Sequence, residues 1–66
     1  MKENYLIKTE FDGREALIIG DHPHKGESVK CIGAAKTNAG YGLLFKEQSS
    51  NKEFFVFKQE YIMWLD

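Results

Sequence analysis

The chain has one cysteine, one proline, no long hydrophobic run and no excess of charge of either sign. A single cysteine, Cys31, excludes an internal disulfide framework and fits a reducing, cytoplasmic setting. The longest apolar run, Tyr61-Ile62-Met63-Trp64-Leu65, falls far short of the ~20 residues that cross a bilayer, so no membrane association is expected. A charged-then-apolar leader is also missing from the N-terminus, in keeping with a cytoplasmic location. Nine basic residues face ten acidic ones, for a net charge of −1. The halves are alike: residues 1–33 carry five positive and six negative side chains, residues 34–66 four and four. Net charge therefore supplies no global pull on phosphates.

What remains is ordinary globular composition, 42% hydrophobic and 29% charged, in 66 residues. That length makes one domain spanning residues 1–66, near the lower limit for unaided folding. Turn residues recur at short intervals: Asp12-Gly13, Gly20-Asp21-His22-Pro23, Asn38-Ala39-Gly40 and Ser49-Ser50-Asn51. The segments between them alternate or are rich in β-branched and aromatic residues, which predicts strands at 4–11, 14–19, 28–35, 41–47 and 53–57. Asp12-Gly13 is expected to join the first two as a tight hairpin. A 3₁₀-like turn at 58–60 and a closing strand at 61–65 are expected next. The alternative is a short terminal helix, since Phe57, Tyr61, Trp64 and Leu65 follow helical spacing.

So many short strands cannot build a useful two-layer sandwich, and an open sheet would leave exposed edges. The expected fold is all-β, a small five- or six-stranded antiparallel barrel. Its core would hold Ile7, Leu17, Ile19, Val29, Cys31, Leu43, Phe45 and two residues of 54–57. Gly33 and Gly42, inside strand patterns, are expected to mark bulges or bends.

The stretch from Ile18 to Val29, IIGDHPHKGESV, resembles a KOW-type element. There a strand ends in glycine, a short loop carries Lys-Gly, and the next strand leaves with valine. The order of segments over residues 14–65 is similar to a Src-homology-3-like barrel, with its closing 3₁₀ turn and last strand. The resemblance implies that fold and, through the KOW element, contact with RNA or ribonucleoprotein. Ser28 stands where KOW elements usually carry a second glycine, and the aromatic-acidic opening of proline-binding Src-homology-3 domains is missing. In size the chain also resembles small accessory proteins of bacteria and their phages.

Candidate chemistry is sparse. His22 and His24, with Asp21 and Cys31, are the densest metal-capable group, but no second cysteine or further histidine completes a structural zinc set, so no metal is expected. Cys31 falls beside Val29 on the inward face, where a free thiol behaves as a small core hydrophobe. Lys36-Thr37-Asn38-Ala39-Gly40 lacks the spacing of a phosphate loop. No carboxylate pair is placed for acid–base work. The expectation is a protein with no catalytic residue and no cofactor.

Binding is the better expectation. Phe54-Phe55-Val56-Phe57 is apolar on both strand faces, so two of these side chains point outward unless covered. Phe54, Phe55, Phe57, Tyr61 and Trp64 are therefore the expected surface for a protein partner or a second copy of the chain. The alternative is a small barrel contacting RNA or single-stranded DNA through Lys25, Lys30, Lys36 and Tyr41, which would combine positive charge with a stacking ring.

Overall fold

A computed structural model describes residues 6–65. Among the described residues the protein is all-β, with one antiparallel sheet of five strands and a lone 3₁₀ turn. The strands are β1 (Glu15–Ile18), β2 (Ser28–Thr37), β3 (Gly40–Glu47), β4 (Glu53–Val56) and β5 (Ile62–Trp64). In space they run β4-β3-β2-β1-β5, so among the described residues β4 and β5 are the sheet's edges and the sheet is not closed. The 3₁₀ turn Gln59–Tyr61 links these two edges. The C-terminal segment is thus a turn followed by a strand, one residue later than the sequence suggests, and the helical alternative is excluded. No helix among the described residues is long and apolar enough to cross a membrane.

Local chemistry sets the connections. In the β2–β3 hairpin, Thr37 pairs with Gly40 across a two-residue turn. The Thr37 hydroxyl accepts from the Ala39 N–H at 3.1 Å and donates to the Gly40 carbonyl at 2.9 Å. Between β3 and β4, Asn51 takes the left-handed conformation (φ 64°), one of the few non-glycine residues that tolerate it. The Glu47 N–H donates to the Lys52 carbonyl there at 2.7 Å.

Ladder partners share a face, so the register shows which side chains meet. Ala16, Ile18, Val29, Cys31 and Phe45 are fully buried on one face, joined by Val56 and Ile62. Phe11, Leu43, Phe54, Tyr61 and Trp64 pack against them from the rim. The hydroxyl-free interior leaves no buried side-chain polar atom unpartnered among the described residues.

Three expectations are corrected. The parity of β1 is reversed: Ala16 and Ile18 are buried, whereas Leu17 and Ile19 are only half-buried. The run from Ala16 to Ile19 is apolar throughout, so alternation could not set its phase; the pairing of Ala16 with Val29 and Trp64, and of Ile18 with Ile62, does. The first expected strand does not form over its described part, residues 6–11. Ile7 makes an isolated bridge to Ala34 and remains 47% exposed, and residues 10–13 form a turn. That turn is held by the Thr9 hydroxyl, which donates to Asp12 and accepts from the Phe11 N–H, so Asp12-Gly13 joins no pair of strands. Residues 4 and 5 lie outside the described residues. Lastly, Gly42 marks no bulge; it sits in regular register opposite Ala35.

Gly33 does mark one. The β2–β3 register shifts between Cys31 and Gly33, leaving Ile32 without a partner. The extra residue turns Gly33 to the face opposite Cys31 and returns Ala34 to the core face, where it meets Leu43. Along the same edge of β2, Cys31 exchanges hydrogen bonds with the 13–14 segment and Ala34 with Ile7. The N-terminal segment thus takes over the edge of β2 beyond the end of β1.

Candidate functional site

The five aromatic residues expected to form a binding surface are divided by the sheet. Phe54 lies opposite Phe45 on the core face and stacks on His24, with ring centroids 3.9 Å apart and planes 4° from parallel. Trp64 stacks on Phe11 at 4.8 Å, with the Arg14 guanidinium also 4.8 Å from its ring. Tyr61 lies over Gly20 and meets His22 edge-on at 5.6 Å. These three rings serve the packing of the rim.

Phe55 and Phe57 face the other way. Phe55 lies opposite Leu44, which follows from the burial of Val56 beside Leu43. The Phe55 and Phe57 rings stack at 5.9 Å, and Phe57 is 46% exposed. Gly42 makes this possible: a Cβ there would stand 2.7 Å from the Phe57 ring and 3.4 Å from that of Phe55. The glycine in β3 is therefore a seat for two aromatic rings.

Tyr41, which the sequence associates with the lysines, borders the same region and is 65% exposed. It lines a cleft of about 160 Å³ with Phe57, Gly42, Leu43 and Val56. It also lines a wider groove of about 610 Å³ with Leu6, Ile7, Leu44 and Phe55. Leu6 and Ile7, which fall within the strand that the sequence predicts at 4–11, are large exposed apolar residues. Their part in this surface depends on the β2 bulge, because Leu6 packs over Gly33.

The lysines are not brought together. Lys25 lies in the loop before β2, and Lys36 is near the far end of that ten-residue strand. Lys36 holds its ammonium 5.8 Å from the Tyr41 ring. Lys30 belongs to a row across the sheet, Glu15-Lys30-Lys46-Glu53, in which each lysine has a carboxylate neighbour one strand away. The row carries no net charge.

Cys31 is fully buried, and burial pushes its thiol above the ordinary value of 9.0. Its sulfur donates toward the Gly33 carbonyl at 3.8 Å. His24 instead meets Glu27, its Nδ1 2.9 Å from a carboxylate oxygen. Glu47 joins this pair from the end of β3. Its carboxyl is held below the ordinary range by a hydrogen bond with Glu27 and by one from the Ser50 hydroxyl, with smaller contributions from His24 and Lys52. The His24-x-x-Glu27 spacing is visible in the sequence, whereas Glu47 arrives only through the register that places it opposite Val29.

Fold and surface together define a small all-β protein that displays an aromatic pair on its outer face. No family model matches the chain, and neither does any curated protein or solved structure.

Proposed function

We propose that the chain is a non-enzymatic interaction module that docks a protein segment, or a second copy of itself, against Phe55, Phe57 and Tyr41. The observation that carries this reading is the ring pair seated outward on Gly42. The core is filled by other side chains, so these rings are surplus to it, and aromatic rings that remain half-wet are the residues that supply binding energy at protein interfaces. Among the described residues β4 is an edge strand, whose outer backbone groups are suited to pairing with an extended segment. Main-chain pairing there would bring the incoming side chains alongside the Phe55–Phe57 pair.

We also take the fold to be a variant of the Src-homology-3-like barrel. Five strands in this order, the 3₁₀ turn before the last, and β5 beside β1 support that reading. The KOW-like loop fits it too, since Gly20 and Gly26 both have positive φ where the motif has glycine. The RNA contact that the motif implies is less well supported, because the charged row across the sheet is balanced.

The test is sedimentation across a concentration series, together with retention of host proteins on the immobilised chain, for the wild type and for Phe57→Ser. Phe57 is half-exposed, so the variant is expected to fold. Self-association, or the retention of one saturable partner, should weaken by roughly 30-fold, as for loss of a central aromatic anchor. Identical behaviour of the two proteins would overturn the proposal, as would a wild type that stays monomeric and retains nothing.

A further inference from the structure

The loop from residue 19 to residue 27 carries a second arrangement, independent of the aromatic face. Its two ends are tied together: the Gly26 N–H donates to the Ile18 carbonyl at 2.7 Å, and the Ile18 N–H to the Glu27 carbonyl at 3.1 Å. Within it the His24 backbone N–H donates to Nδ1 of His22 at 3.1 Å. The His24 ring is fixed by its parallel stack on Phe54, which leaves Nδ1 directed at the Glu27 carboxylate. Glu47, twenty residues further along the chain, completes the group, and one donor atom from each of the three side chains lies within 4.8 Å of the others.

Two carboxylates converging on one imidazole nitrogen repel each other unless a proton or a cation sits between them. In the metal-free protein a proton plays that part in the Glu27–Glu47 hydrogen bond, and a bound cation would take its place. We propose that His24, Glu27 and Glu47 form a binding site for a divalent transition-metal ion of the zinc type.

The geometry suits such an ion. Zinc bonds of about 2.1 Å in a tetrahedron put neighbouring ligand atoms about 3.4 Å apart. The His24–Glu27 separation of 2.9 Å is already close to that edge, and the longer separations close by rotation of partly exposed glutamate side chains. One imidazole nitrogen with two carboxylate oxygens is a borderline donor set that suits zinc or its first-row neighbours. Calcium and magnesium prefer sites made of oxygen alone. Three protein ligands leave the fourth position to water.

The experiment is calorimetric titration and thermal melting of the metal-stripped full chain with zinc chloride. One-to-one binding is expected, with a melting temperature that rises as zinc is added. Glu27→Gln and Glu47→Gln, which keep the loop and its stacked ring, should each bind about tenfold more weakly or worse, with metal-free melting unchanged. Magnesium chloride should give no shift. The proposal falls if the wild type binds no zinc up to about 1 mM. It falls equally if both variants bind like the wild type, or if magnesium and zinc act alike, since the response would then be diffuse attraction to surface acids.

Discussion

Replacing Gly20 with alanine tests the packing that anchors this loop. Gly20 has φ +82°, and a Cβ there would stand 2.8 Å from Cδ1 and 3.2 Å from Cε1 of Tyr61. Gly26, at the other end of the loop, has φ +88° and nothing within 4 Å of the same position. Both substitutions therefore share the cost of a left-handed non-glycine residue, about 1–2 kcal/mol, less about 0.4–1 kcal/mol returned by the stiffer unfolded chain. Only Gly20→Ala adds a clash, of about 1–3 kcal/mol, because Tyr61 packs against the core and His22 and has little room to retreat. A domain of this length has a total stability of about 3–10 kcal/mol. With a urea slope of about 1 kcal/mol/M, Gly20→Ala should unfold at a midpoint about 1–3 M below that of Gly26→Ala. Combining Gly20→Ala with Tyr61→Ala should remove most of the extra penalty as a coupling energy. Equal midpoints for the two glycine variants would refute the contact, and additive effects of Gly20→Ala and Tyr61→Ala would refute its assignment to the ring.

Cys31 should resist thiol reagents in the folded protein at pH 8 and react at the unfolding rate, because it is buried and its thiol is held protonated; labelling as fast as a free thiol would contradict this. Its raised value also fixes a sign. The folded state retains a proton that the unfolded state releases, so this contribution to stability is intact below 9.0 and declines as the pH rises beyond it, which urea melts at pH 8 and pH 10 will show. Single-stranded oligonucleotides titrated at low salt should bind weakly or not at all, since Lys30 and Lys46 each face a glutamate and Lys25 and Lys36 stand at opposite ends of β2. Tight binding that falls steeply with salt would favour the nucleic-acid alternative.

The parts of the fold legible in the sequence are those governed by local chemistry. Asn38-Ala39-Gly40 and Ser49-Ser50-Asn51 turn where turn residues predict, and Val29, Cys31 and Phe45 are buried as their alternation implies. The all-β class and the late 3₁₀ turn follow from the same signals. What escaped was set by partners distant in the chain. A run such as Ala16-Leu17-Ile18-Ile19 contains two equally apolar phases, and only β2 and β5 choose between them. The alternating segment 4–11 promised a strand, yet over its described residues the Thr9 and Asp12 side chains offer the backbone a turn that competes with pairing.

The bulge at Ile32 explains why the surface was harder to read than the core. A strand has period two, so one extra residue exchanges the faces of everything beyond it. Before the bulge Val29 and Cys31 point inward, and an unbroken count would send Gly33 with them and Ala34 outward. With Ile32 inserted, Ala34 faces the core and Gly33 the opposite side, where its missing side chain admits Leu6. Gly42, one strand over, repeats the device by admitting Phe55 and Phe57. Two glycines inside strand patterns thus act as sockets on the outer face, one for Leu6 and one for the phenylalanine pair. Filling a socket discriminates between packing and binding: Gly42→Ala would displace the Phe57 ring while leaving the buried face untouched, so it should impair association far more than it lowers the melting temperature. An equal loss of both would mean that the ring pair exists to hold the sheet together rather than to receive a partner.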